Sequence, residues 1–298
     1  MDGKLADIAS IRAVGRLRDY VDLTKPRLLP LVLFTSLPVM GMAAGGWPPL
    51  SFALPTVVGI ALAAASANTL NAYLERELDE RMERTRGRPL PSGKLAPQSA
   101  LIFGWLLGIA STVLLWVVAG LATAAVAVAS ILYYVFVYTI WLKPRSAWNA
   151  VVGGAAGAAA PLIADVAVNG RLGMPGLLLF AIVFFWQPPH VWAIALYRKT
   201  DYEAAGIPML PNVIGDEGTR RWIVMCTFGL VPVTLAPGLL GLLGSVYMIV
   251  AVGMNAWFVI SSVQLAKQRT DEAARRMFRV SLVYLFSLCI AMLMDLTV

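Results

Sequence analysis

The sequence predicts an all-α polytopic membrane protein: nine transmembrane helices bundled around a central cavity, with a cytoplasmic N-terminus and an external C-terminus. Three observations carry this. Of 298 residues, 59% are hydrophobic and only 14% charged, whereas soluble domains carry about 25% charged residues; the mean hydropathy is +0.73. Apolar runs long enough to cross a roughly 30 Å hydrocarbon core recur along the whole chain. The basic residues alternate between loops: 23 of the 24 Lys and Arg fall in the N-terminal segment and in every second loop, and the intervening loops hold only Arg171. That asymmetry is what the positive-inside rule imposes, and one span more or fewer would scramble it. The net charge of +7 is therefore accounted for by orientation, and no nucleic-acid partner is expected.

Residues 1–27 are mixed in charge and lack a short apolar core followed by a small-residue cleavage site, so they are expected to remain as a cytoplasmic segment. Spans are expected at 28–46, 51–74, 98–118, 121–142, 149–168, 174–197, 221–240, 244–266 and 276–296. Small residues crowd 59–68 (GIALAAASAN) and 153–161 (GGAAGAAAP), where they allow helices to approach closely. Pro30, Pro38, Pro55, Pro188, Pro189 and Pro232 lie within spans or at their edges, where kinks open a cavity. Spans two and six both end in acidic motifs, four helices apart. A single domain is therefore expected, of two pseudo-repeated halves, about 28–142 and 149–266, plus a final span at 276–296. Cys226 and Cys289 both lie in apolar runs and support neither a disulfide framework nor a metal site. His190 is the single histidine.

Chemistry concentrates where span two leaves the membrane, in NAYLERELDERMERTRGRP at 71–89. No Gly or Pro interrupts the run before Gly87, so the helix is expected to continue to that point. Asn68, Asn71, Glu75 and Asp79 then share one face at steps of three and four. Much of the charge here suits a solvated helix end. Asn68 and Asn71, however, lie on the same stripe inside the apolar run, where polar groups face a cavity or a partner. Mg²⁺ favours one or two carboxylates together with substrate phosphates, and this stripe offers such a grip. Arg84 and Arg88, a turn further on, are placed to take remaining phosphate charge. A second cluster, QPPHVWAIALYRKTDYEAAGIPMLP at 187–211, brings Asp201 to the same face of the membrane, and Tyr138 and Lys143 follow span four there. Two acidic helix ends over an apolar tunnel suit a lipid diphosphate.

With these residues assembled, the chain resembles the protohaem IX farnesyltransferase (haem O synthase) branch of the UbiA-type intramembrane prenyltransferase superfamily. The resemblance runs over nearly the whole chain: TKPR at 24–27, the 71–93 block, YTIWLKPRSAWNAVVGGAAGAAAP at 138–161 and WQPPHVWAIALYRKTDYEAAGIPMLP at 186–211. It implies Mg²⁺ as cofactor, with Asn71, Glu75, Asp79 and Asp201 as ligands; Glu75 stands where Asp is commoner, and Ala205 stands where a further acid is usual. It implies farnesyl diphosphate and haem B as substrates, joined with addition of water to give haem O. Lys25, Arg27, Tyr138 and Lys143 are expected at the diphosphate, and His190 and Trp192 at the haem. Arg84 and Arg88 are expected at either the diphosphate or the haem propionates, and His190 at haem iron or a propionate, or as a packed helix contact. The resemblance places the chain as a multi-pass protein of the bacterial inner membrane, with its active site near the cytoplasmic face. It suggests contact with a downstream haem-modifying enzyme or terminal oxidase. An aromatic, quinone-precursor prenyltransferase would share the metal site. A transporter is disfavoured because no inverted repeat with paired broken spans is evident.

Overall fold

The computed structural model describes residues 17–296. The first 16 residues of the N-terminal segment and the last two residues of the chain, with the expectations that fall on them, lie outside the described residues. All regular secondary structure among the described residues is helical, with a short helical stretch over 17–23 ahead of the numbered elements. In order the chain forms α1 (Leu29–Ala44), α2 (Leu50–Leu74), the short α3 (Arg76–Arg81), α4 (Pro97–Ala119) and α5 (Leu121–Leu132), which runs on as π-helix over Tyr133–Leu142. There follow α6 (Asn149–Gly157), α7 (Ala159–Asn169), α8 (Met174–Tyr197), the short α9 (Lys199–Ala204), α10 (Leu210–Leu239), α11 (Ser245–Gln268) and α12 (Asp271–Asp295). Among the described residues, eight helical stretches are long and apolar enough to cross a membrane, taking α5 with its π-helical extension and α6 with α7 as one each. The 16-residue α1 is a ninth, shorter apolar helix.

Small residues decide how the first half packs. α2 lies along α4, and Ser66 Oγ donates to the Gly104 carbonyl at 2.8 Å while Ser111 Oγ donates to the Gly59 carbonyl at 2.7 Å. A methyl group at Gly59 would meet the Leu115 side chain, and one at Gly104 would meet Leu70. Apolar side chains gain little by leaving lipid for another helix, so close approach and hydrogen bonding hold such pairs. In the second half, α8 packs against both α10 and α12. Trp186 Nε1 on α8 donates to the Ser281 carbonyl of α12 at 2.8 Å.

Three helices depart from the expected spans. The fifth is broken at Ala158, inside the Gly- and Ala-rich run, into α6 and α7. The seventh begins at Leu210, eleven residues before the expected 221, and bends at Gly215, whose φ of 78° leaves the helical region. The helix after span two does not continue to Gly87. It tightens at Glu75, resumes as α3 and ends at Arg81, where Met82 turns extended. The cause is side-chain burial: Met82 leaves the helix line to pack on Ala195, Ala205, Ile207 and Met209. That contact ties the loop after α3 to the segment carrying Asp201.

Candidate active site

The residues from 17 to 28 form a strap over the end of the bundle where α2 stops. Leu23 is buried with Ala72, Leu90, Leu95 and Ala100, and Tyr20 meets Phe103 edge-on at 5.0 Å. The strap ends by driving Lys25 into the left-handed region at φ 54°. A side chain there carries a cost on the order of 1 kcal/mol, tolerated where surrounding structure over-determines it. The return is position: Lys25 Nζ donates to Asn71 Oδ1 at 2.6 Å, and Asn68 Nδ2 donates to the Thr24 carbonyl at 3.0 Å. Asn71 Nδ2 donates in turn to Thr139 Oγ1 on the π-helical stretch at 3.0 Å.

The two acids on this stripe are each matched by a cation. Lys143 Nζ lies 2.5 Å from Glu75 Oε1, and Arg88 Nη1 lies 2.7 Å from Asp79 Oδ2. Glu75 is 5% exposed and Asp79 1%. Burial alone would raise the Glu75 pKa, but the Lys143 ammonium, joined by Lys25, holds it below the usual carboxylate range. Burial alone would lower Lys143, and the Glu75 carboxylate raises it instead. Lys25 is different. Burial lowers its pKa to about 8, helped by Arg88 and Lys143 and only partly opposed by Glu75 and Asp79. Three cations thus surround two carboxylates, and a crevice of about 20 Å³ is lined by Lys25, Asp79 and Arg88 among others. The bed is one negative charge short, which is the electrostatic form of an anion site.

Below it opens the main cavity, of about 320 Å³, lined by Asn68, Tyr134, Tyr138, Asn149, Gln187 and His190 amid apolar side chains. It reaches the lower end of the range for small-molecule pockets, about 300–1,000 Å³. A smaller, largely apolar cavity of about 50 Å³ shares Val32, Ala64, Ala67, Tyr134 and Ala156 with it and extends to Ile60 and Ile163. Tyr138 stacks loosely on Tyr134 at 5.3 Å, and the Lys143 ammonium lies 5.8 Å from its ring, so Tyr138 links bed and cavity.

The structure therefore gathers Lys25, Asn71, Glu75, Asp79, Arg88 and Lys143, with Tyr138 at the junction and His190 in the cavity. Other expected residues stand apart. Arg27 and Arg84 are exposed, and Arg84 lies on the Tyr197 side rather than in the bed. Trp192 is 0% exposed, packs edge-on against Trp148 at 6.0 Å and does not line the cavity. Asp201 lies 3.6 Å from Arg198, and its Oδ2 accepts no hydrogen bond among the described residues. Among the described residues no three acids or histidines stand close enough to share one ion. The oxygen donors gathered here, a buried amide and two buried carboxylates, still suit Mg²⁺, which completes its shell with substrate oxygens and water. Gln187, Tyr134, Thr139 and Ser281 were not singled out from the sequence. Gln187 and Tyr134 line the cavity, Thr139 Oγ1 accepts from Asn71 in the bed, and Ser281 Oγ lies 2.7 Å from His190 Nδ1. None is itself charged, and only their register on helices that also carry site residues distinguishes them.

The chain is similar to known proteins in sequence and in fold. The model of the UbiA prenyltransferase family matches residues 32–288. A protein from Symbiobacterium thermophilum named protoheme IX farnesyltransferase is 44% identical over 282 residues, covering 94% of each chain. Among solved structures, a digeranylgeranylglyceryl phosphate synthase superposes with a TM-score of 0.78 at 18% identity, covering 95% of this chain and 99% of its own. A UbiA homologue from Archaeoglobus fulgidus, bound to DMAPP and Mg²⁺, superposes with a TM-score of 0.68 at 16% identity, covering 94% and 99%. The chain belongs to the UbiA prenyltransferase family.

Proposed function

We propose that this protein transfers the farnesyl group of farnesyl diphosphate to a vinyl group of haem B, with addition of water, giving haem O and diphosphate. The observation that carries the reading is the bed of three cations over two carboxylates at the mouth of an apolar cavity. The relative named protoheme IX farnesyltransferase, similar over nearly the full length, supports haem as the acceptor.

In this reading the polar head lies at the bed and the isoprenoid tail in the cavity. Asn71, Glu75, Asp79 and Asp201 would hold Mg²⁺, which neutralises charge on the leaving diphosphate. Lys25, Lys143 and Arg88 bind diphosphate oxygens, and their positive charge stabilises the leaving group as the allylic C–O bond breaks. The electron pair of that bond leaves with the diphosphate. The vinyl π electrons of haem B then attack the allylic carbon, and the cation formed beside the porphyrin takes up water and releases a proton. Tyr134 and Tyr138 present aromatic faces between bed and cavity, where a developing cation is attracted to ring quadrupoles. The apolar walls keep bulk water from the allylic cation. His190 contacts the haem. Arg84, Arg27 and Trp192 belong outside this inner set and serve substrate approach or packing.

We further propose nine spans, counting α1, two pseudo-repeated halves, a cytoplasmic N-terminus, an external C-terminus and an inner-membrane location with the bed at the cytoplasmic face. The loop charge bias supports that orientation. The direct test supplies purified protein in lipid nanodiscs with farnesyl diphosphate, Mg²⁺ and both haem B and 4-hydroxybenzoate, with products read by mass spectrometry. Haem O is expected. Prenylated 4-hydroxybenzoate with no haem O would instead establish an aromatic prenyltransferase.

A further inference from the structure

His190 is held on three sides. Trp186 stacks on its ring at 4.3 Å between centroids, and Phe278 lies tilted at 4.9 Å. Its Nδ1 lies 2.7 Å from Ser281 Oγ, a fully buried hydroxyl on α12. That hydroxyl also lies 2.6 Å from the Phe278 carbonyl. A serine hydroxyl has one proton and spare lone pairs. The carbonyl can only accept, so the serine proton goes to it. Ser281 Oγ must then accept from His190, and the ring proton sits on Nδ1. The Ser281 backbone is fixed as well, since its carbonyl takes the Trp186 indole proton at 2.8 Å. With Nδ1 turned to α12, the opposite ring edge is the one left to the cavity that His190 lines. Nε2 has no hydrogen-bond partner among the described residues and is not sealed from the cavity.

We infer that Ser281 is a positioning residue for the reaction: it sets the His190 tautomer and ring angle, so that Nε2 offers a lone pair to the iron of the porphyrin acceptor. A histidine that binds a metal commonly donates its other ring N–H to an oxygen that fixes its orientation and raises its basicity. Ser281 fills that place from a neighbouring helix, so α8 and α12 together determine where the porphyrin plane lies relative to the vinyl-accepting end of the cavity. The inference rests on the reading that haem B is the acceptor.

Purified protein in nanodiscs, titrated with ferrous haem B and examined by resonance Raman, tests it. The wild type should show an iron–histidine stretch, and His190→Ala should lose it. Ser281→Ala should keep a stretch at lower frequency and bind haem roughly tenfold more weakly. Ser281→Thr, which retains the hydroxyl, should restore both. In the His190→Ala background, Ser281→Ala should weaken haem binding no further, because it acts only through the imidazole. Farnesyl diphosphate affinity, measured alongside, should stay unchanged in each variant and reports an intact fold. A wild-type stretch and affinity in Ser281→Ala, beside a lost stretch in His190→Ala, overturns the positioning role. So does an equal loss from Ser281→Ala in both backgrounds. A stretch that survives in His190→Ala overturns the haem contact itself and the inference with it.

Discussion

Glu75 and Lys143 depend on each other in a way that Lys25 does not share. Glu75 is buried and held charged chiefly by Lys143, 2.5 Å away, whereas Lys25 donates its hydrogen bond to a neutral amide. Removing one partner of a buried pair leaves an uncompensated charge, which costs about 3–5 kcal/mol. Lys143→Ala should therefore both lower thermal stability and weaken farnesyl diphosphate binding. Lys143→Met combined with Glu75→Gln should recover the melting temperature while binding stays weak. Lys25→Ala should leave the melting temperature within a few degrees of wild type and still weaken binding about tenfold, as read by calorimetry. If both lysine variants lost stability equally, the distinction between a paired and a surplus cation would be wrong. At this scale the motif at 71–89 was legible, because Asn71, Glu75 and Asp79 share helical spacing and Asn71 sits inside an apolar run. Lys143 was placed at this face by the loop after span four, whereas Lys25 came forward only through the family resemblance. Arg84 and Arg88 looked equivalent in sequence, and only the turn at Met82 separates them: Arg88 folds back to Asp79, and Arg84 is left exposed.

The helices set these distances through two contacts. The α2–α4 seam has no large side chain at Gly59, Gly104 or Gly108, and facing side chains fill the space. Gly104→Leu should wedge α2 from α4 and displace Leu70, next to Asn71; a lower melting temperature and lost farnesyl diphosphate binding are expected. Ser66→Ala, which removes one interhelical hydrogen bond, should cost only about 0.6 kcal/mol and leave binding intact. The second contact is Met82 against Ala195, Ala205, Ile207 and Met209. Met82→Ser should loosen the first acidic motif from the Asp201 segment, lowering turnover more than farnesyl diphosphate affinity in steady-state kinetics. Span positions were readable because hydropathy is a property of each segment alone, and Met174–Tyr197 coincides with its expected range. The break at Ala158, the bend at Gly215 and the end of α3 at Arg81 were not. Each depends on which neighbour a side chain meets, and a single sequence does not record its neighbours.

The whole molecule separates charge from grease along one axis: paired and surplus cations at the end of the bundle, and an apolar cavity with one imidazole below it. A helical membrane protein was legible at this scale in composition and recurring apolar runs, and the reaction class in the long ordered motifs that carry the family resemblance. That the two acidic motifs meet over one cavity stays an expectation of the sequence: Met82 ties their segments together, but neither Asp201 nor the acids of the first motif line the cavity. Chelation with EDTA should abolish haem O formation while leaving haem binding unchanged, and restored Mg²⁺ should recover turnover; haem O formed at the full rate in EDTA would remove the metal from the account. The most direct measurement is a structure with Mg²⁺ and a non-reactive farnesyl diphosphate analogue. The diphosphate is expected against Lys25, Arg88 and Lys143, with the tail running past Tyr134 and Tyr138 into the cavity. A diphosphate seated instead on the Arg84 and Tyr197 side, with the bed's ion pairs intact, would contradict it.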